Sequence, residues 1–439
     1  MPVQEIKSTT KDKKGIYIHI PFCTTKCSYC DFVSGYWAKD IQKQYIQSIQ
    51  REINHFDMFY DSLSIHPKVK TNIYNDKNNS NYKDIDTIYI GGGTPSTLLS
   101  GGIEQILQTI HNNFNVDQNA EITIECNPNS VDSDKITEWI NSGVNRVSMG
   151  LQTTNDTILQ ILNRFQTLTI YNASIQKLQK KFHNISIDIM FGLPNQTLKD
   201  ITQTLQVVSQ TATHISAYAL ELEEKTSLYN DIKNNRYNLP NDDIVAEWYD
   251  YIVDCLATHN FHRYEISNFS KPNLESRHNL KYWNNINYYG FGVSAHSKVG
   301  DLRYSNTNNL TEYNQHMYTN AHNTNSHKTI SDEYALRSKL TTKDTNPSSK
   351  IKIQDGDIKQ YEYLNTQTKL TEFFMLGLRQ SKGLNIIEYQ NTFGKGLETT
   401  HSQQLIPLLQ AGILIRQGNF IQLAPNQSFI LNQVIKKLI

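Results

Sequence analysis

Three cysteines, Cys23, Cys27 and Cys30, stand at C-x3-C-x2-C spacing in Gly15-Ile-Tyr-Ile-His-Ile-Pro-Phe-Cys-Thr-Thr-Lys-Cys-Ser-Tyr-Cys-Asp-Phe32. A short loop of this kind, directly after an apolar strand, can bend around one metal centre and present three thiolates together. Iron–sulfur clusters ordinarily take four cysteines. The place near these three that a fourth would take is held by Phe32. Three ligands on a four-iron cluster leave one iron open, and an open iron accepts an external ligand. A Cys3His zinc site would need a fourth ligand close by, and His19, the residue able to supply it, sits inside the apolar strand. A disulfide framework fits poorly, because five cysteines in 439 residues is a sparse and odd set. Cys126 and Cys255 stand alone in apolar surroundings and read as buried structural residues.

Other residues that could do chemistry follow apolar runs. Gly91-Gly-Gly-Thr-Pro-Ser96 offers a backbone that a ligand can approach closely, with unhindered N–H groups; a plain tight turn is the alternative. Glu125 closes the run Ile122-Thr-Ile-Glu, where a carboxylate is costly unless an ammonium, a hydroxyl or a neighbouring cation satisfies it. Asp188 lies inside Ile185-Ser-Ile-Asp-Ile-Met and faces the same choice between a ligand and a neighbouring backbone N–H.

The cysteine loop and its flanks resemble the radical S-adenosylmethionine (SAM) superfamily. The string Tyr17-Ile-His-Ile-Pro-Phe-Cys23 resembles the branch holding oxygen-independent coproporphyrinogen III dehydrogenases and HemW-type heme chaperones. The resemblance implies a [4Fe-4S] cluster on Cys23, Cys27 and Cys30, with SAM on the open iron. Cleavage of SAM to a 5′-deoxyadenosyl radical is then the cofactor's chemistry, and the protein supplies binding and orientation. It further implies that Gly92, Gly93 and Thr94 hold the methionine end of SAM, and that Glu125 contacts its ammonium or ribose. Gly150-Leu-Gln-Thr153 is similar to the family's Gly-x-Gln-Ser and makes Gln152 a SAM contact. Arg164 matches an arginine near the SAM carboxylate or ribose, where a guanidinium fork suits a carboxylate. The family's histidine two residues later is Gln166 here, which weakens that position. Ile185–Thr197 is similar to Asp-Leu-x-x-Gly-Leu-Pro-x-Gln-Thr and gives Asp188 an adenosine-ribose role. Tyr17 and Tyr29 carry over as residues lining cluster and SAM. Arg277-His-Asn-Leu-Lys-Tyr-Trp283 resembles the His-Asn-x-x-Tyr-Trp signature of the heme chaperones, followed by Tyr289-Gly-Phe-Gly292 and Ser294-Ala-His296. This implies heme as a third cofactor and His278 as a candidate axial ligand; a buried hydrogen-bonded histidine is the alternative.

These groups need a scaffold. Apolar β-like runs at 15–20, 87–90, 121–125, 146–149, 185–189 and 214–220 alternate with segments of helical periodicity at 41–56, 103–114, 133–142, 155–162, 171–182 and 198–211. Such alternation predicts an α/β fold with a parallel sheet and right-handed crossovers. Six units match the partial (β/α)6 barrel that the resemblance implies, with functional loops at the C-terminal strand ends. The expected organisation is a tail at 1–14, a core barrel at 15–240 with a polar insertion at 62–84, a barrel extension at 241–334 carrying the His-Asn motif, and a C-terminal domain at 335–439. In that last part, helical patterns precede a hairpin turning at Gln417-Gly-Asn419, which suggests a small winged-helix-like α+β domain. A second polar stretch covers 341–360, and neither insertion carries a functional expectation.

Hydrophobic residues make up 38% of the chain, enough for a sizeable core, and the formal net charge is zero. No global attraction to nucleic acid or anionic membrane follows, and no basic recognition stripe marks the winged-helix segment. No apolar run is long enough to span a bilayer, and the first residues lack an apolar secretory core. A cytoplasmic protein is expected; peripheral contact with membrane acceptors, and monomer or dimer, stay open. The resemblance implies heme-accepting partners and an electron donor such as a flavodoxin or ferredoxin.

Two functions compete on one fold. The dehydrogenases carry a further cysteine two residues after the third, where this chain has Phe32, and a longer N-terminal extension than the 14 residues before Gly15. Both points, with the His-Asn-x-x-Tyr-Trp signature, favour a heme chaperone over coproporphyrinogen III decarboxylation. A radical SAM enzyme for another substrate is the third possibility.

Overall fold

The computed structural model describes residues 13–63, 81–322 and 359–439. Most of both polar stretches, at 64–80 and 341–358, and residues 1–12 of the tail lie outside these.

Six strands, β1 (Lys14–Ile20), β2 (Asp84–Gly92), β3 (Asn115–Cys126), β4 (Arg146–Gln152), β5 (Asn184–Phe191) and β6 (His214–Ala219), pair in chain order, all parallel. Through their central residues they alternate between apolar and polar side chains. Ile16, Ile18, Ile88, Ile90, Ile122, Ile124, Val147, Met149, Ile185, Ile187 and Ile215 face the crossover helices and form the main core. The other parity holds Tyr17, Tyr89, Glu125, Ser148, Asp188 and Ser216. A parallel sheet covered by apolar layers on both faces reads as continuous hydrophobic runs; alternation here means that the inner face lines a polar lumen.

The crossover helices begin where side chains cap free N–H groups. Asp132 caps the helix Ser133–Asn141, Asn155 caps Asp156–Ile161, and Thr197 with Asp200 forms a capping box on Leu198–Thr211. These caps sit in the loops after β3, β4 and β5, so they also fix the loops at the lumen mouth.

The sheet extends further than the sequence pattern foretold. On one side, β7 (His262–Arg263) and β8 (Asn268–Ser270) add antiparallel pairings beyond β6. On the other, β9 (Tyr288–Phe291) pairs parallel with β1, and β10 (His296–Val299), β11 (Leu302–Asn306) and β12 (Lys359–Tyr363) continue antiparallel. Among the described residues the result is an open, mixed sheet of twelve strands ending at β12 and β7. Strand β12, which the sequence reading grouped with the C-terminal domain, belongs to this large sheet.

From Thr366 a second core forms around Phe374, Leu378, Tyr389, Leu405, Leu414 and Ile421. Helices Thr366–Arg379, Ile386–Phe393 and Ser402–Gln410 pack on a small sheet of β13 (Leu384–Asn385), β14 (Leu414–Gln417) and β15 (Phe420–Leu423), in the order β13-β15-β14. The β14–β15 hairpin turns at Gly418, whose φ of 58° lies in the left-handed region that glycine favours.

Candidate cluster and SAM site

The cysteine loop is clamped at both ends. Cys23 N–H donates to the Gly35 carbonyl at 2.8 Å and Gly35 N–H to Pro21 at 2.9 Å. Farther along, Ser28 N–H reaches Leu162 at 3.0 Å, its hydroxyl reaches Ile161 at 2.9 Å, and Asn163 Nδ2 holds the Lys26 carbonyl at 2.8 Å. The loop is thus set against the end of the helix after β4. Cys23, Cys27 and Cys30 are all free and half-buried. Cys126 is buried as expected, whereas Cys255 is only half-buried. Among the described residues, no group of three His, Cys, Asp or Glu side chains lies close enough to share one metal ion. Thiolates on a single zinc would all lie about 2.3 Å from it, whereas cluster ligands stand on separate irons.

A hydrogen-bond network joins two of the cysteines. Thr94 Oγ1 accepts from Asn127 Nδ2 at 3.2 Å and lies 3.6 Å from Cys23 Sγ. Asn127 Oδ1 accepts from Arg164 Nη2 at 2.8 Å, and Arg164 Nη1 reaches Cys27 Sγ at 3.5 Å and Tyr29 Oη at 3.2 Å. Arg164 Nη2 also donates to the Gly150 carbonyl at 2.8 Å. Gln166 braces this arrangement: its Nε2 donates to Leu151 at 2.7 Å and to Gly150 at 3.2 Å. Sequence reasoning passed over Asn127 and discounted Gln166. The Asn-Pro step closing β3 was the available signal for Asn127, since its amide both accepts and donates.

The glycines act by closeness. A Cβ on Gly93 would lie 2.9 Å from Cys23 Sγ, one on Gly92 2.7 Å from the His19 ring, and one on Gly91 2.9 Å from Glu125 Oε2. The expectation of unhindered N–H groups is corrected. Gly93 N–H donates to Ile20 at 2.8 Å, Thr94 N–H to Phe22 at 2.7 Å, and Gly92 N–H to Glu125 Oε2 at 3.0 Å. His19 is likewise occupied: its Nε2 donates to the Val33 carbonyl at 3.0 Å, so its Nδ1 accepts the Tyr17 hydroxyl at 3.0 Å. Tyr17 stacks on Tyr89, with centroids 6.3 Å apart.

Two carboxylates face the lumen without an ion pair among the described residues. Glu125 accepts from the Tyr89 hydroxyl at 2.7 Å and from Gly92 N–H. Burial pushes its pKa up to about 7, against those two donors. Asp188 accepts from Ser148 Oγ at 3.2 Å, and burial raises its pKa although the Ser216 hydroxyl opposes. Tyr218, on the same strand as Ser216, is 40% exposed, and desolvation raises the pKa of its phenol. Gln152, 8% exposed, closes β4 at φ 70°, a conformation that a non-glycine residue holds only under constraint.

The radical SAM superfamily profile matches residues 17–208, and the HemN C-terminal domain profile matches residues 364–426. The heme chaperone HemW of Lactococcus lactis is 28% identical over 425 residues, 96% of each chain. HemW of Buchnera aphidicola subsp. Schizaphis graminum is 36% identical over 291 residues, covering 66% of this chain and 71% of that one. The chain belongs to the HemW family of radical SAM proteins. The solved coproporphyrinogen III oxidase HemN of Escherichia coli shares the fold, with TM-score 0.73 and 18% identity over 97% of this chain and 90% of that one.

Membership of the radical SAM superfamily implies a [4Fe-4S] cluster and SAM. The residues present fit both: three thiols on one clamped loop, and two half-buried carboxylates without an ion-pair partner among the described residues, though the buried Arg146 acts on both through space, beside a glycine strip packed against His19, Cys23 and Glu125. The mouth gathers Cys23, Cys27, Cys30, Tyr17, Tyr29, Gly92, Gly93, Thr94, Glu125, Gln152, Arg164 and Asp188. His278 of the HemW-type motif sits behind the site, stacked on Tyr89 with ring centroids 5.4 Å apart. Its Nδ1 pairs with Thr87 Oγ1 and its Nε2 with Tyr282 Oη, both at 2.9 Å, and the residue is fully buried. Burial drives its pKa down to about 3. Neither ring nitrogen is free and the ring does not reach a surface, which is the arrangement of the buried, hydrogen-bonded alternative.

Proposed function

We propose that this chain is a heme chaperone that binds heme, holds a [4Fe-4S] cluster and SAM at the lumen mouth, and delivers heme to acceptor proteins. The observation that carries the reading is Phe32. It stands two residues after Cys30, is 62% exposed, and offers no thiol to a dehydrogenase-type Cys-x-Cys. The likeness to heme chaperones over 96% of the chain supports it.

Cys23, Cys27 and Cys30 take three irons in this reading, and SAM takes the fourth. When bound and reduced, the cluster supplies the electron that cleaves SAM. The chain's residues orient and shield: Glu125 takes the ammonium or ribose, Asp188 the adenosine ribose, and Gln152 and the Gly92–Thr94 strip the rest of SAM. An electron donor such as a flavodoxin or ferredoxin docks from outside, and the thiols suit a reducing cytoplasm. No helix among the described residues is long and apolar enough to cross a membrane, and acceptors at a membrane would be met from its surface.

Anaerobically reconstituted protein should shift the Soret band of added heme and leave coproporphyrinogen III unchanged. Formation of protoporphyrinogen IX in that assay would overturn the chaperone reading in favour of the dehydrogenase.

A further inference from the structure

The three cysteine sulfurs are not treated alike. Cys23 Sγ meets the Thr94 hydroxyl at 3.6 Å. Cys30 is near the Phe32 backbone N–H, the Ser34 hydroxyl lies near both Cys23 and Cys30, and the exposed Lys26 acts on those two only through space. Cys27 accepts a hydrogen bond from a cation: Arg164 Nη1 stands 3.5 Å from its Sγ, on a side chain only 8% exposed. That guanidinium cannot swing away freely. Nη2 is held by Asn127 Oδ1 and the Gly150 carbonyl at 2.8 Å each, and Nε faces Gln166 Oε1 at 3.4 Å. Tyr29 Oη takes a share of Nη1 at 3.2 Å.

Hydrogen bonds to ligating sulfurs and the charge around them set cluster potentials. A one-electron reduction adds one negative charge and breaks no bond. A fixed positive charge donating to a ligating sulfur stabilises that reduced state over the oxidised one, and does so more strongly where water is excluded. Resting on the cluster assignment above, we infer that Arg164 is a positioning residue that sets the reduction potential of the cluster through the Cys27 sulfur. This role is separate from any contact with SAM. Asn127 and Gln166 act through Arg164 by fixing the direction of its N–H.

The test is a potentiometric titration of the full-length reconstituted protein, followed by the electron paramagnetic resonance (EPR) signal of the reduced cluster and run without SAM. Arg164→Gln should make the cluster harder to reduce by roughly tenfold, a downward shift of about 59 mV for a one-electron couple. Arg164→Lys, which keeps the charge but loses the fork, and Asn127→Ala, which keeps the arginine but frees Nη2, should each give a smaller downward shift. An unchanged or raised midpoint in variants with full iron and sulfide overturns the inference, and an effect on SAM affinity alone does the same. Loss of the cluster in all three variants would make the network a structural requirement and also overturns it. A wild-type protein that takes up no cluster defeats the cluster reading itself, which separates that failure from this one.

Discussion

The lumen mouth and the helix Arg277–Trp283 both carry family motifs, both bury polar groups, and differ in how those groups are satisfied. At the helix most polar groups have a protein partner, the buried Trp283 indole nitrogen excepted. His278 uses both ring nitrogens, Glu121 accepts the backbone N–H groups of Arg277 and His278 at 3.0 Å, and Lys281 pairs with Asp86 at 2.5 Å. Trp283 lies under the Arg379 guanidinium, 4.6 Å from the ring centroid, and its carbonyl accepts from Gln380 at 2.8 Å. At the mouth, Glu125 and Asp188 have hydroxyl and amide donors only, and Gln152 is held at positive φ. Buried polar groups complete in themselves hold a structure together; carboxylates without a direct ion-pair partner can take up the charge of a ligand. On the proposed reading the mouth is the binding region, and the helix joins the barrel to the C-terminal domain.

Breaking the mouth should have the largest effects. Cys23→Ala, Cys27→Ala or Cys30→Ala should each abolish the four-iron spectrum, and iron and sulfide retained at wild-type stoichiometry in any of them would remove that residue from the ligand set. Glu125→Gln comes next. A hydrogen bond to a charged group is worth about 1.5–3 kcal/mol, so SAM affinity should fall roughly tenfold to a hundredfold by equilibrium titration.

The same carboxylate gives a pH signature with a definite sign. Its pKa in the folded protein, about 7, is above the ordinary 4.5, so between these values the folded state holds a proton that the unfolded state has lost. Stability without ligand should therefore fall as pH rises from 4.5 through 7. Binding of a cation favours the ionised form, so SAM affinity should rise over that window and flatten above it. A pH-independent affinity in the wild type, or a slope kept in Glu125→Gln, would place the cation elsewhere.

At the helix the effects should fall on stability. His278→Leu strands the partners of two buried hydrogen bonds, each costing about 1–3 kcal/mol, and should lower the melting temperature while heme still binds below it. A folded variant that no longer shifts the Soret band would return the heme iron to His278. Smallest of all, Arg379→Met should loosen the C-terminal domain, since Arg379 Nε pairs at 2.7 Å with Glu265, a fully buried carboxylate. Leaving one member of a buried pair alone costs up to about 3–5 kcal/mol, reduced here because Arg379 is partly exposed. Unfolding of the C-terminal core at an unchanged temperature would show that this contact does not hold it.

The contrast also shows what the sequence could reveal. The cysteine loop and the six strand–helix units were legible because each is local: ligand spacing, alternation and caps lie within a few residues. The extension through β9 to β12 was not, because those strands are short and their pairing joins β1 to segments far along the chain. Asn127 and Gln166 were missed because their value depends on three loops meeting around Arg164. The burial of His278 was not legible, because a motif names a residue type without its surroundings. The close backbone approach at the glycine strip was legible, but not that its amides donate to Ile20, Phe22 and Glu125.

The most direct test of the mouth as the SAM site is the EPR spectrum of the reduced, reconstituted protein before and after SAM is added. The account predicts that SAM changes the cluster signal in the wild type and in His278→Leu, and at the same concentration leaves Glu125→Gln largely unchanged. A wild-type signal indifferent to saturating SAM would contradict it.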